Sequence, residues 1–505
     1  MYSSHHFKKT HEYLKFKISK GFIFFIIVVF SSKASSEVKI LNKIFTPKSD
    51  DTYKTVQFKQ LSDFKFDENA AYELPKIVPN ASTNLIHKED ISIRSQNTIG
   101  LLDAVKLTIQ RDPEISQAIS MLSSQNANID VAKSQYYPQL SGGIVTGDLS
   151  SSERGRQLLN LSATQMFYDF GKVKSSVDTQ RAKLSAQQAN VLVSIDDIAY
   201  QTASSIINIE RYRRITQIGE QQIIGIKRIL DIANLRAKAG ISSQADPIQA
   251  ESYLQSAESN LIAQKSLLRQ YQQRLTTLIG FDIANKRWII PDDLVKLSDL
   301  YADPEFNTVP KIIEAQAEVE VAKYQKKQTD LSRYPTFSVK GSLNQALNGV
   351  NPNNNKDNGL YSSVMVEATS NFYQGGAISA QVKSASYAEQ AARSRVQAVY
   401  LDTLDQLRTT RENIESKQSQ MQVLAERQLT SIKTRELYQE QYKLGTRSVL
   451  DLLNAEMAIH SANNEMETAR YDIYASLLQY VQVTGRTRQV YKINNISIQG
   501  FEVQP

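Results

Sequence analysis

The sequence predicts an α+β membrane protein: a β-barrel closed by several chains, to which each gives four strands (twelve if three assemble), continued by a long antiparallel, coiled-coil-like α-helical tunnel. Three observations carry this expectation. The chain repeats itself at fixed offsets. Each copy contains segments that alternate apolar and polar residues. Each copy also contains a proline-free run of 68 residues.

The duplication is read from matched landmarks. Residues 113–140 (PEISQAISMLSSQNANIDVAKSQYYPQL) correspond to 310–337 (PKIIEAQAEVEVAKYQKKQTDLSRYPTF), and in both copies 25 residues separate the opening proline from the proline of Tyr-Pro. The offset there is 197 residues, and it becomes 205 for Phe167-Tyr168 against Phe372-Tyr373, Gly171 against Gly376, Gly240 against Gly445, and Gly280 against Gly485. The eight extra residues enter where the second copy carries the turn-rich stretch 348–359 (NGVNPNNNKDNG).

Each copy opens with a helix, 113–136 or 310–333, that the Tyr-Pro stops. Alternating segments follow. Phe337, Val339, Leu343 and Leu347 share one face, with Ser338, Lys340, Ser342 and Asn344 on the other. Leu159, Leu161, Ala163 and Phe167 alternate with polar residues, as do Val364, Val366, Ala368 and Phe372. Period two with one polar side describes strands with one wet face. Four strands cannot close a barrel, because closed transmembrane barrels begin at about eight strands; three chains would supply about twelve.

The long runs, 172–239 and 377–444, are read as helices of about 100 Å. Val177, Leu184, Val191 and Ile198 step by seven, as do Leu407, Ile414 and Met421, the spacing of a coiled-coil seam. A glycine turn ends each run, and a shorter helix returns over 247–279 or 449–484. Aromatic residues gather at one strand end: Tyr136, Tyr137, Phe167, Tyr168, Phe170, Tyr334, Phe372 and Tyr373. They read as a belt at the membrane interface, with a packed domain junction as the alternative.

The N-terminus reads as an export signal. Basic residues precede the ten apolar residues Gly21–Phe30, and Ser32-Lys33-Ala34 offers a cleavage site. Ten residues of helix span only about 15 Å, half a bilayer core. The resulting segments are a signal peptide (1–34), an N-terminal extension (35–97), the first repeat (98–280), an inter-repeat region (281–309), the second repeat (310–485) and a C-terminal tail (486–505). The formal charge of +7 falls to +2 once the signal is set aside, which leaves no electrostatic case for a nucleic-acid partner.

These features resemble the TolC family of outer-membrane efflux proteins, from about residue 101 to 486. The resemblance rests on the duplicated helix–strand–strand–helix–helix order, the Phe-Tyr-x-x-Gly strand ends, and two tip turns, 239–246 (AGISSQAD) and 444–455 (LGTRSVLDLLNA). It implies a homotrimer in contact with outer-membrane lipid, with its helical part in the periplasm. It also implies a periplasmic adaptor (membrane fusion) protein and an inner-membrane transporter as partners. The implied role is an exit duct for small molecules or secreted proteins, without chemistry or cofactor of its own.

The resemblance further implies a latch at the tunnel tip, in which Tyr442 and Arg447 bond to Asp246, while Gly240, Gly445 and Thr446 shape the turns. Asp246 is also expected to cap the helix starting at Pro247. Asp451 matches a constriction ring of aspartates, and Asn454 stands where a second aspartate is usual, which halves the charge expected there.

The sequence has no cysteine, which excludes disulfides and thiolate chemistry, and its five histidines include only His87 and His460 beyond the signal. No phosphate loop, nucleophile elbow or zinc-binding HExxH helix is present. A competing class is a trimeric adhesin-like envelope spacer without a conducting pore. The returning helices argue against it, because adhesin stalks run one way along the chain.

Overall fold

The computed structural model describes residues 97–147, 156–291, 294–301, 305–348, 350–351, 356–371, 373–498 and 500–503. The signal peptide, the extension up to residue 96 and Phe372 lie outside the described residues.

The first repeat opens with β1 (Thr98–Gly100) and α1 (Leu101–Arg111), which have no match in the second copy; α1 is a helix that the sequence pattern did not predict. The duplicated unit then begins with α2 (Pro113–Ser134), whose N-cap Asp112 accepts from the Glu114 and Ile115 N–H groups. Proline in the first turn loses no bond, since its N–H would be unpaired there anyway. After the hairpin strands β2 (Gln139–Gly147) and β3 (Arg156–Tyr168) come α3 (Lys172–Lys238) and α4 (Ala245–Ile279).

The connection between repeats holds β4 (Arg287–Ile289), paired in parallel with β1, and the short α5 (Leu294–Ser298). The second copy is α6 (Pro310–Leu331), β5 (Thr336–Asn348), β6 (Val350–Asn351), β7 (Lys356–Asp357), β8 (Leu360–Thr369), α7 (Ala377–Lys443) and α8 (Val449–Val483). Helix lengths match between copies: 22 residues in α2 and α6, 67 in α3 and α7, 35 in α4 and α8. The first helices stop two residues short of the expected ends. The residue before a proline avoids the α region, and the chain begins to unwind before Tyr-Pro is reached.

The four long strands form one antiparallel sheet in the order β2-β3-β5-β8. Its register places Leu140, Ile144, Leu161, Val339, Val364 and Val366 on one face, and each of these except the half-buried Leu161 and Val339 stands more than half exposed. On the opposite face Ser141, Ser162, Ser342 and Ser363 lie in one row across all four strands. Their hydroxyls pair at 2.7 Å, Ser141 with Ser162 and Ser342 with Ser363. Among the described residues no helix is long and apolar enough to cross a membrane; the apolar sheet face is the surface that can meet lipid.

Below the sheet, α3 packs against α2, α4, α6 and α8, while α7 packs against α6 and α8. Although the two helices are equally long, 26 residues of α3 are buried against six of α7. So α3 runs through the middle of the wall and α7 forms its margin. The seven-residue steps account for this seam: Val177, Val191, Ile198, Leu407 and Ile414 are buried.

The C-terminal tail is folded into the wall. After α8 come α9 (Thr487–Val490) and the hairpin β9–β10 (Ile496–Ile498, Phe501–Val503). Tyr491, Phe501 and Val503 enter the main core with Ile99, Leu101, Trp288 and Ile195. Fully burying side chains of this size stabilises by roughly 1.5–3 kcal/mol each, so the tail is a structural part of the wall's middle.

Candidate functional site at the hairpin tips

Both long helices run from the sheet toward the tips, and both end in the same turn. The Gly240 N–H donates to Ala237 O and the Ile241 N–H to Arg236 O; the Gly445 N–H donates to Tyr442 O and the Thr446 N–H to Gln441 O. These paired bonds close the helix ends with a left-handed residue, and Gly240 (φ 72°) and Gly445 (φ 78°) supply it. The Thr446 hydroxyl adds a second donor to Gln441 O.

The returning helices start differently. Ser448 caps α8 through a reciprocal box: its hydroxyl accepts from the Asp451 N–H, and the Asp451 carboxylate accepts from the Ser448 N–H and hydroxyl. These bonds, with the nearby Arg447, hold the Asp451 carboxyl below the usual carboxylate range. The expected cap by Asp246 is not formed. Helix α4 begins two residues earlier than expected, at Ala245, with Gln244 at the N-cap and no side-chain bond there. Asp246 therefore sits inside the first turn, where its charge still faces the helix's positive end.

The expected latch residues are brought to one end of the molecule. Tyr442 is 3% exposed. Its hydroxyl has no hydrogen-bond partner among the described residues. Burial raises the phenol's pKa, with Arg236 opposing and Asp246 adding to the rise, which places both charges in its surroundings. Arg447 folds back on its own hairpin: its Nε donates to Gln441 Oε1 (3.0 Å), its guanidinium lies 4.5 Å from the Tyr438 ring centre, and Asp451 is 3.9 Å away. Among the described residues no hydrogen bond or ion pair joins Asp246 to Tyr442 or Arg447. Asn454 accepts from the Tyr253 hydroxyl at 3.2 Å, a bridge between α8 and α4.

Sequence reading missed Arg236. From the last turn of α3 its Nη1 donates to Tyr442 O (3.0 Å), and its guanidinium lies 4.8 Å from the Tyr442 ring centre. A basic residue in a last turn is ordinary, so the available signal was only that the second copy has neutral Gln441 at the equivalent place.

At the other end, Phe167, Tyr168, Phe170, Tyr334 and Phe337 are in ring contact where strands become helices. Tyr137, Tyr168 and Tyr373 are more than half exposed. Phe170 adopts φ 59°, costly for a residue with a Cβ, and stacks on Tyr334 at 5.0 Å; the second copy has Gly375 there, φ 60°. Among the described residues no group of three metal-capable side chains occurs. His460 is buried against Glu456 (3.1 Å) inside the wall.

The sequence profile of the outer membrane efflux proteins matches residues 104–281 and 307–486, one match to each copy. The chain belongs to the outer membrane efflux protein family. It is similar to the outer membrane efflux protein BepC of Brucella suis biovar 1, with 23% identity over 72% of this chain and 80% of that one. It is also similar to the outer membrane protein TolC of Escherichia coli, with 22% identity over 74% of this chain and 80% of the relative. Among solved structures, the outer membrane channel CmeC of Campylobacter jejuni shares the fold with a TM-score of 0.65 at 15% identity, across 87% of this chain and 93% of that one. As a family member the chain is an outer-membrane exit duct for efflux, its sheet in the membrane and its helices in the periplasm.

Proposed function

We propose that three copies of this chain assemble into a continuous duct, closed at the hairpin tips, that receives cargo from an inner-membrane transporter through a periplasmic adaptor and performs no chemistry itself. One observation carries the reading: the chain is open along the same two sides at both levels. Strands β2 and β8 are the unpaired edges of the sheet. Helix α7, which follows β8, leaves Tyr387, Leu401, Val423 and Leu437 exposed, and the opposite margin leaves Val131, Ile248 and Ile262 exposed. An unpaired strand edge and a long apolar helical flank are both unstable in isolation. A second copy placed edge to edge covers them together, and three copies return to the start with twelve strands.

In this assembly the serine-bearing face lines the bore and the apolar face meets lipid. The six hairpin tips converge, with Asp246, Tyr442 and Arg447 as the latch and Asp451 with Asn454 at the constriction. The test is single-channel conductance of the purified mature protein in a planar lipid bilayer. Small discrete steps are expected, with larger steps in the Tyr442→Phe/Arg447→Ser variant. Silence from folded trimer would favour a sealed spacer, and unchanged steps in the variant would remove the latch.

A further inference from the structure

We infer that Arg236 is the clamp that holds the second hairpin tip against the first in the closed duct, and that opening requires its withdrawal. The inference deepens the proposed gate and rests on the duct reading. Helices α3 and α7 run in the same direction, so their negative dipole ends lie side by side at the tip. Two such ends repel unless a cation sits between them. Arg236 reaches from α3 to the end of α7, donating from Nη1 to Tyr442 O at 3.0 Å and approaching Lys443 O at 3.5 Å. Tyr442 O also accepts from the Gly445 N–H within the turn, so the guanidinium takes the oxygen's remaining lone pair. The same group covers the Tyr442 ring, 4.8 Å from its centre, in a position that excludes water from it. Cation–ring and charge-assisted contacts both gain strength on desolvation.

The clamp has no counterpart in the other copy. Residue 441, at the offset of 205 from Arg236, is glutamine, and its side chain accepts from Arg447 of its own hairpin. Arg447 of the second tip is thus turned inward on its own hairpin, whereas Arg236 crosses from one repeat to the other. Its guanidinium also lies against the Gly445 turn, whose added Cβ would stand 3.8 Å from Nη2. Arg236 is a positioning residue: it contacts no cargo and acts by fixing where Tyr442 and its turn sit.

The experiment compares wild-type protein with Arg236→Met, which keeps the length and loses the charge, and Arg236→Lys, which keeps the charge and loses the planar fork. All are measured as single channels in planar bilayers, with thermal unfolding of the same preparations alongside. The expected result is a rise of about tenfold in the open-to-closed ratio for Arg236→Met, a smaller rise for Arg236→Lys, and an unchanged unfolding midpoint, because the clamp is local to the tip. Wild-type gating in Arg236→Met overturns the clamp. Should that variant not assemble, Arg236→Lys decides alone: a raised ratio supports the clamp and a wild-type ratio overturns it. Silence from the wild-type chain would instead overturn the duct reading, and the clamp's gating role with it.

Discussion

Two glycines six residues apart in α3 should respond to alanine in opposite directions. In an ordinary helix interior, Gly→Ala stabilises by about 1 kcal/mol. A Cβ on Gly219 would lie 3.3 Å from Leu261 Cδ1, the end of a side chain able to give way. A Cβ on Gly225 would lie 2.0 Å from Glu456 Oε1 and 2.7 Å from its Cδ. Glu456 is 5% exposed, bonded to His460 at 3.1 Å and faced by Arg435 at 3.7 Å, so its carboxylate cannot move without losing a buried partner. Overpacking costs about 1–3 kcal/mol, and a buried carboxylate left with poorer partners costs about 1–3 kcal/mol more. The sum exceeds the helix gain, and Gly225→Ala should destabilise by about 1–5 kcal/mol, while Gly219→Ala should be neutral or stabilising. The assay is the unfolding midpoint of each variant in one detergent, with Glu456→Ala completing a double-mutant cycle. In the Glu456→Ala background, Gly225→Ala should become stabilising. A stabilised Gly225→Ala single variant, or no coupling in the cycle, would refute the steric reasoning.

Burial pushes the Asp196 carboxyl up to about 7, against the pull of Arg488 and Thr487. An unfolded carboxyl titrates near 4, so between about pH 4 and 7 the native state holds the extra proton, and stability falls as pH rises through that window. Asp196→Asn should flatten this part of the profile whatever its effect on absolute stability, and identical slopes would contradict the assignment. Gly280→Ala should cost more than Gly240→Ala: both need a left-handed residue, but only at Gly280 does the new Cβ fall on Arg111 Nη1, at 1.4 Å. Unfolding midpoints of the pair give the difference. On the sheet, Val366→Arg should prevent insertion, as a cation on the lipid face costs about 2–4 kcal/mol at mid-membrane. Ser342→Arg, on the opposite face, should still assemble, and equal assembly yields would reverse the assignment of faces.

The long elements were legible because their periodicities are strong and repeated. Pro113 and Pro310 mark helix starts, the seven-residue steps of α3 mark a seam, and the alternation around Ser342 marks a strand with a wet face. Less legible parts depend on contacts distant in sequence. Helix α1 and the tail are short, and their apolar residues acquire meaning only when Ile99, Trp288 and Phe501 meet in one core. At the tips, the position of Asp246 was read as a cap from Pro247, but the helix had already begun. Arg236 went unread because its partner is a backbone oxygen 206 residues away, and a carbonyl carries no side-chain signature.

The matched helix lengths limit where this chain can grow. One inserted residue turns everything beyond it by about 100° and displaces it by about 1.5 Å, so an insertion in α3 or α7 would rotate its seam away from neighbours whose lengths are fixed. The copies differ in length only between Tyr-Pro and Phe-Tyr, around the far ends of the strands. That is where the chain can accept a foreign peptide, and in the assembled duct such a peptide would be displayed to the cell's surroundings. The same arithmetic makes the reach of the helices beyond the sheet a fixed gauge.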